Sequence, residues 1–314
     1  MSKKQSRRTF IKGAGVAAGG LLTPAVVQAQ QPSSATKGEQ FRNLLQGTEP
    51  VLAPGVHDVL TARLVEHIGF PAMTVGGSAV SAQHVIPDVG LITITELIEF
   101  AGNIAENVNV PVFADCDDGG GSPINVYRAM RNAEKRGIAA VMFEDTVTIK
   151  HLGGRSDLVT KEQMADKIKA AVDARQKGTV IIARTDALSE QRTMDEALER
   201  GVACAQAGAD VIFFSGMRLS DTPKARDTVR KPLMSTVSGT TTPAMLKEGR
   251  ISLGVYAGQL LQIGLGAAHQ ALQELKSTGL MTNAAKTSIA GDVYQKLIES
   301  QEVNARARKY NLLK

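Results

Sequence analysis

Short, mostly apolar runs recur along this chain, separated by longer stretches whose apolar positions repeat with the helical period. The runs fall at residues 51–53, 72–75, 110–114, 139–143, 180–183, 210–214, 232–234 and 251–255. Runs of three to five residues with little internal alternation predict strands buried on both faces. Between them, residues 59–68, 94–107, 125–136, 161–176 and 194–207 carry helical periodicity. Gly69, Gly137, Gly178 and Gly208 stand just before the next strand, where a helix is commonly closed by a left-handed residue. Eight such strand-and-helix units predict an α/β fold, the (β/α)8 TIM barrel. An open doubly wound sheet fits less well, because no G-x-G-x-x-G turn follows the first strand.

The pattern also divides the chain. Residues 1–29 stand apart, residues 30–45 read as a polar linker and short helix (near 39–46), and residues 46–276 read as the barrel. Residues 277–314 read as an extension with an amphipathic helix from 291 to about 308, of the kind that packs on a partner subunit.

Composition changes this picture in one place. Hydrophobic residues make up 43% and charged residues 21% of 314, enough for a large core without disulfides. The net charge of +5 arises within the first 29 residues, which hold Lys3, Lys4, Arg7, Arg8 and Lys12 and no acid. The remainder has 31 basic and 31 acidic residues and no basic patch with interleaved aromatics, so no nucleic-acid partner is expected. Ser6 to Lys12, a Gly/Ala-rich apolar segment to Val27 and the small Ala29 resemble a twin-arginine signal peptide. That resemblance implies export to the periplasm with no membrane attachment after cleavage. Cys116 and Cys204 are expected to be buried free thiols.

In a barrel of this kind the chemistry sits at the C-terminal ends of the strands. Those positions hold Gly76, Gly77 and Ser78, then Asp115 and Asp117 before a glycine loop, then Glu144 and Asp145, then Arg184 and Asp186. Residues two apart on a strand share a face, so Asp115 and Asp117 can enter one site. Clustered carboxylates at the mouth of a core call for a cation, and hard oxygen ligands suit Mg²⁺ or Mn²⁺. Bland readings stand beside these. Asp88 can begin a turn, Glu144 or Asp145 can pair with Arg184, Asp186 can brace its loop, and Gly76 and Gly77 can serve a tight turn. His57, His67, His84 and His269 have no metal-ligand spacing.

These motifs together resemble the isocitrate lyase and phosphoenolpyruvate mutase superfamily, over about residues 41–276. The carriers are residues 75–78, Pro87 with Asp88, Asp115 to Gly121, residues 143–145 and residues 182–187. Residues 76–96 look most like the oxaloacetate decarboxylase and carboxyphosphonoenolpyruvate mutase-like members. The resemblance implies Mg²⁺ held by Asp117, with Asp88, Asp115 and Glu144 binding directly or through water. It implies a chelated 2-oxo acid, with the metal as Lewis acid for the enolate left by C–C cleavage. Backbone N–H groups of Gly76, Gly77 and Ser78 would receive a carboxylate or oxyanion, and Arg184 would clamp a substrate carboxylate. Family members are commonly tetramers with an exchanged C-terminal helix, so a homo-oligomer is expected.

One loop departs from the family. Its lyases carry Lys-(Lys/Arg)-Cys-Gly-His after the fourth strand, with the thiol supplying a proton. Here the segment is Lys150, His151, Leu152, Gly153 and Gly154. Leucine transfers no proton, so isocitrate or methylisocitrate cleavage is not expected. Ser215 and Thr236 stand where the lyases have a glutamate and an asparagine, and Gly120 stands in place of an aromatic. The remaining set suffices for decarboxylation of oxaloacetate or a related β-keto acid. His151 is a candidate acid, and Lys150 either neutralises substrate charge or lies on the surface. Cleavage of a substituted malate with an acid from elsewhere (Tyr256), phosphonate chemistry, and a non-catalytic oxo-acid binder remain as alternatives.

Overall fold

The alternation of strand and helix is realised as eight parallel strands in the computed structural model, which describes residues 35–313. Residues 1–29, where a twin-arginine signal is expected, lie outside the described residues. The strands are β1 (Val51–Pro54), β2 (Met73–Val75), β3 (Val112–Asp115) and β4 (Ala140–Glu144), then β5 (Val180–Thr185), β6 (Val211–Phe214), β7 (Leu233–Thr236) and β8 (Leu253–Tyr256). Hydrogen bonding runs in the order β1-β8-β7-β6-β5-β4-β3-β2. A bridge from Gly55 to Thr74 spans the remaining seam, so the sheet is a nearly closed barrel. All eight expected strands are found, with ends shifted by one or two residues.

The helices are α1 (Lys37–Leu45), α2 (Val59–Ile68), α3 (Gly77–Gln83), α4 (Ile94–Glu106), α5 (Pro123–Lys135) and α6 (Lys161–Ala174). They continue as α7 (Met194–Ala207), α8 (Thr222–Val229), α9 (Pro243–Glu248), α10 (Gln259–Thr278), α11 (Gly291–Leu297) and α12 (Ser300–Lys309). Local chemistry marks their ends. Thr36, Thr93 and Thr160 each close a capping box with the residue three positions on, and Asp58 and Thr193 cap α2 and α7. Gly69 and Gly208 end α2 and α7 in the left-handed conformation expected of them.

Strand residues alternate between two cores. Those facing inward, among them Val51, Phe113, Met142, Ile182, Phe213, Met234 and Val255, form one cluster with Phe41 and Leu45 of α1. The residues between them, such as Val112, Val141, Phe143, Ile181 and Ile212, pack outward beneath the helices. Helix α1 therefore acts as a plug in the barrel, pinned by Arg42 to Asp210 at 2.6 Å. Asp210 is shared with Arg175 at 2.6 Å.

Two elements differ from the sequence reading. The glycine turn after β2 continues into α3, because Gly76 caps a run of small residues. The tail is two helices where one is expected. Glu299 takes a φ of 53° between α11 and α12, and its carboxylate holds Arg63 of α2 at 2.6 Å. Within the described residues no helix is long and apolar enough to cross a membrane.

Candidate active site

Strand parity decides which polar groups reach the barrel mouth. Phe113 and Met142 face inward, so Asp115 and Glu144, two residues further on, do so as well, and Arg184 follows Ile182 in the same way. Asp145 and Thr185 have the opposite parity and meet behind the strands, with Thr185 Oγ1 donating to Asp145 at 2.6 Å. Arg200 of α7 reaches Asp145 at 3.1 Å. Asp145 also accepts the Asp186 N–H at 2.9 Å. That places the Asp186 carboxylate to receive Arg184 through both Nε and Nη2 at 2.7 Å. Arg200 lies on a helix with no motif around it, so no local signal in the sequence marks it.

Asp115, Asp117 and Glu144 offer oxygens that all lie within 4.8 Å of one another. Asp117 turns back toward Asp115 with a φ of 45°, a conformation that aspartate tolerates better than most residues. Asp88 closes the ring from the loop after α3. Lys150 Nζ lies 2.6 Å from Asp117, 3.3 Å from Glu144 and 3.5 Å from Asp88. Arg184 Nη1 lies 3.0 Å from Glu144.

This crowding shapes the acidities. Burial, with the neighbouring Asp115 charge, pushes the Asp117 carboxyl up to about 7 against the pull of Lys150. Burial likewise raises Asp115. Glu144 is more strongly opposed. Burial pushes it up, but Arg184 and Lys150 together hold it below the usual carboxylate range. Burial works against the Lys150 ammonium, yet Glu144, Asp115 and Asp117 hold its proton more firmly than in water.

The donor set fits a hard divalent cation. It is all oxygen, and neither Asp88 Oδ1 nor Glu144 Oε2 has a hydrogen bond of good geometry. Gly77 keeps the space open, because a Cβ there would stand 3.0 Å from Asp117 Oδ1 and 3.4 Å from Asp115 Oδ2. Beside the acids is a cavity of about 110 Å³, whose polar side holds Gly76, Ser78, Asp88, Asp115 and Arg184. Its floor is Phe113, Met142, Phe213, Met234 and Val255, and Thr236 lies at the rim. A larger surface groove of about 590 Å³ along α6 to α8 carries the solvated Lys161–Glu199 pair and no convergent set of groups.

Four expectations need correction. Lys150 is not a surface residue; it is 2% exposed and paired within the acids. The Gly77 N–H is not free for an oxyanion, because it donates to Asp115 at 3.3 Å. His151 turns into its own loop, its ring 3.2 Å from Ser156 Oγ. Tyr256 faces outward, and its hydroxyl donates to the Thr241 carbonyl at 3.3 Å. Leu152, at the position of the lyase cysteine, is 67% exposed. Both cysteines are buried and free, with burial pushing the Cys204 thiol to about 12.

A family model described as phosphoenolpyruvate phosphomutase matches residues 41–276. The chain is 42% identical over 219 residues to 2,3-dimethylmalate lyase of Eubacterium barkeri, covering 68% of this chain and 73% of that one. It is 38% identical over 181 residues to oxaloacetate decarboxylase of Rhodopseudomonas palustris, covering 57% and 62%. The crystal structure of phosphoenolpyruvate phosphomutase from Streptomyces platensis subsp. rosaceus superposes with a TM-score of 0.80 at 32% identity, covering 86% and 98%.

Proposed function

The chain belongs to the phosphoenolpyruvate phosphomutase family, and on that premise we propose that it is a Mg²⁺-dependent carbon–carbon lyase acting on a small 2-oxo acid. The preferred reaction is decarboxylation of oxaloacetate or a related β-keto acid. One observation carries this reading: carboxylates and Arg184 converge on a small cavity, while the adjoining loop presents an exposed leucine where the family's lyases place their acid.

Asp117, Asp115, Glu144 and Asp88 would hold the ion, with Mn²⁺ able to replace Mg²⁺. The chemistry such an ion supplies is Lewis-acid polarisation of a keto oxygen. Arg184, held by Asp186 through Nε and Nη2 and by Glu144 through Nη1, lines the cavity and would orient a substrate carboxylate. Gly76 and Ser78 line the same wall and leave room for that carboxylate to approach the backbone. The apolar floor excludes water from the far end of the substrate. A carboxylate placed there is poorly solvated and loses charge on leaving as carbon dioxide. The enolpyruvate so formed can be protonated by solvent after release, so decarboxylation needs no acid at position 152.

The test is pyruvate formation from oxaloacetate with and without Mg²⁺, measured against spontaneous decay. Asp117→Ala should lower both metal affinity and turnover by roughly a hundredfold or more. Loss of neither would remove the metal assignment. No acceleration by the unmodified chain, with oxalate still bound, would leave a binder in place of an enzyme.

A second reading is cleavage of a dialkylmalate, supported by the 42% identity to 2,3-dimethylmalate lyase. It requires a proton donor that Leu152 does not supply. Pyruvate release from 2,3-dimethylmalate in the same assay would favour it. Two further parts of the proposal concern place and assembly. Residues 1–29 direct export by the twin-arginine route, checked by periplasmic fractionation of a strain carrying Arg7→Lys with Arg8→Lys. The chain assembles as a homo-oligomer, a tetramer in the commonest family pattern, through its C-terminal helices.

A further inference from the structure

Lys150 poses a problem of charge. Its ammonium lies against Asp117 Oδ1 and Glu144 Oε1, on carboxylates assigned above to a divalent cation. Two cations cannot sit within a few ångströms of each other among those carboxylates without strong repulsion in so poorly screened a place. The lysine is also tied to the loop that carries it. Its N–H donates to Val89 O at 3.3 Å, and Thr148 Oγ1 donates to Asp118 at 2.7 Å across the mouth. The tip beyond it, from Leu152 to Arg155, is exposed and packs against no core residue, so it can move without opening the barrel.

We propose that Lys150 is a tethered counter-ion, which neutralises the carboxylates in the metal-free protein and is displaced, with the tip of its loop, when a divalent cation binds. This rests on the metal reading above. It gives the site two cationic states, one internal and one supplied from solution. The loop position then reports which cation is present.

Calorimetric titration of Mg²⁺ into the full chain without substrate, with Mn²⁺ as a second probe, tests the competition. Lys150→Met keeps the stem and removes the charge, and should bind Mg²⁺ about tenfold tighter or more. Lys150→Arg keeps the charge and should show no such gain. The displacement is read separately in protein that retains Lys150. Leu152→Cys adds one exposed thiol to a chain whose own cysteines are buried, and an environment-sensitive dye there should shift with the calorimetric midpoint. Equal or weaker Mg²⁺ binding by Lys150→Met overturns the competition. An unchanged dye signal at saturating metal overturns the displacement. If no variant binds either ion, the metal reading itself fails, a result distinct from equal binding by all.

Discussion

At the scale of single residues, Asp117 sets the pH at which the site is ready for a cation. Its carboxyl is pushed from an ordinary value near 3.8 up to about 7 by burial and by Asp115. Between those values the folded, metal-free chain keeps a proton that the unfolded chain has released. Its stability therefore falls as pH rises through that window and levels off above about 7. A cation favours the ionised carboxylate, so on the proposed metal reading Mg²⁺ affinity should climb with pH up to about 7 and binding should release protons below that point. Melting temperatures with and without Mg²⁺ at pH 6 and pH 8 test this, and a larger Mg²⁺ effect at pH 6 would contradict it. Arg184 makes a separate prediction. Lysine cannot reproduce its paired contacts to Asp186 while also reaching Glu144. Arg184→Lys should lower kcat/KM by about 10–100-fold, chiefly through KM, with little loss of metal affinity. A change confined to kcat would argue against carboxylate clamping.

At the scale of elements, two pieces hold the mouth in shape. The glycine loop after β3 needs Gly119, whose φ is 74° and whose added Cβ would stand 2.4 Å from Val126 and 3.0 Å from Phe143. Gly119→Ala should cost about 1–3 kcal/mol and move Asp117, so that denaturant midpoint and Mg²⁺ affinity fall together. Phe41 in α1 is fully buried among the inward strand residues, and Phe41→Ala should cost about 3–5 kcal/mol. Metal affinity should survive that change, because α1 is held at the starts of β5 and β6, whereas the acids stand at the strand ends. These elements also show what is legible in a sequence. Strands β1 to β8 are legible because both faces are apolar, and Asp115, Glu144 and Arg184 because they sit at strand ends with the parity of a known inward residue. Arg200 is not, and neither is the pairing of Lys150 with the acids, although Lys150 itself stands out as a candidate. Each is a long side chain carried by a loop or a helix, and no local period records where its tip goes. Helix α3 is missed for a different reason, since Gly76 to Ser81 reads as turn chemistry until Gly76 is seen to cap it.

At the scale of the whole molecule, α10 is the element out of place. A strand-and-helix repeat calls for a helix over β8 and the seam with β1, and α10 follows β8 directly. Yet α10 runs for 20 residues and buries none of them. Leu265, Ala268, Leu272 and Leu275 follow at the spacing of one helical face, and the three leucines are exposed. An apolar stripe of that length is costly to leave in water, and the proposed oligomer supplies a second copy of the chain to cover it. The shared C-terminal helix of the proposed oligomer therefore includes α10 as well as the tail beyond residue 277. Leu272→Asp combined with Leu275→Asp puts charge on that stripe while leaving every residue of the active site in place. Light scattering should then report a smaller species than the unmodified chain, with a lower melting temperature and Mg²⁺ affinity per subunit unchanged. A species of unchanged mass would place the contact elsewhere. An unmodified chain that is already a monomer would mean that the exposed stripe has a partner other than itself.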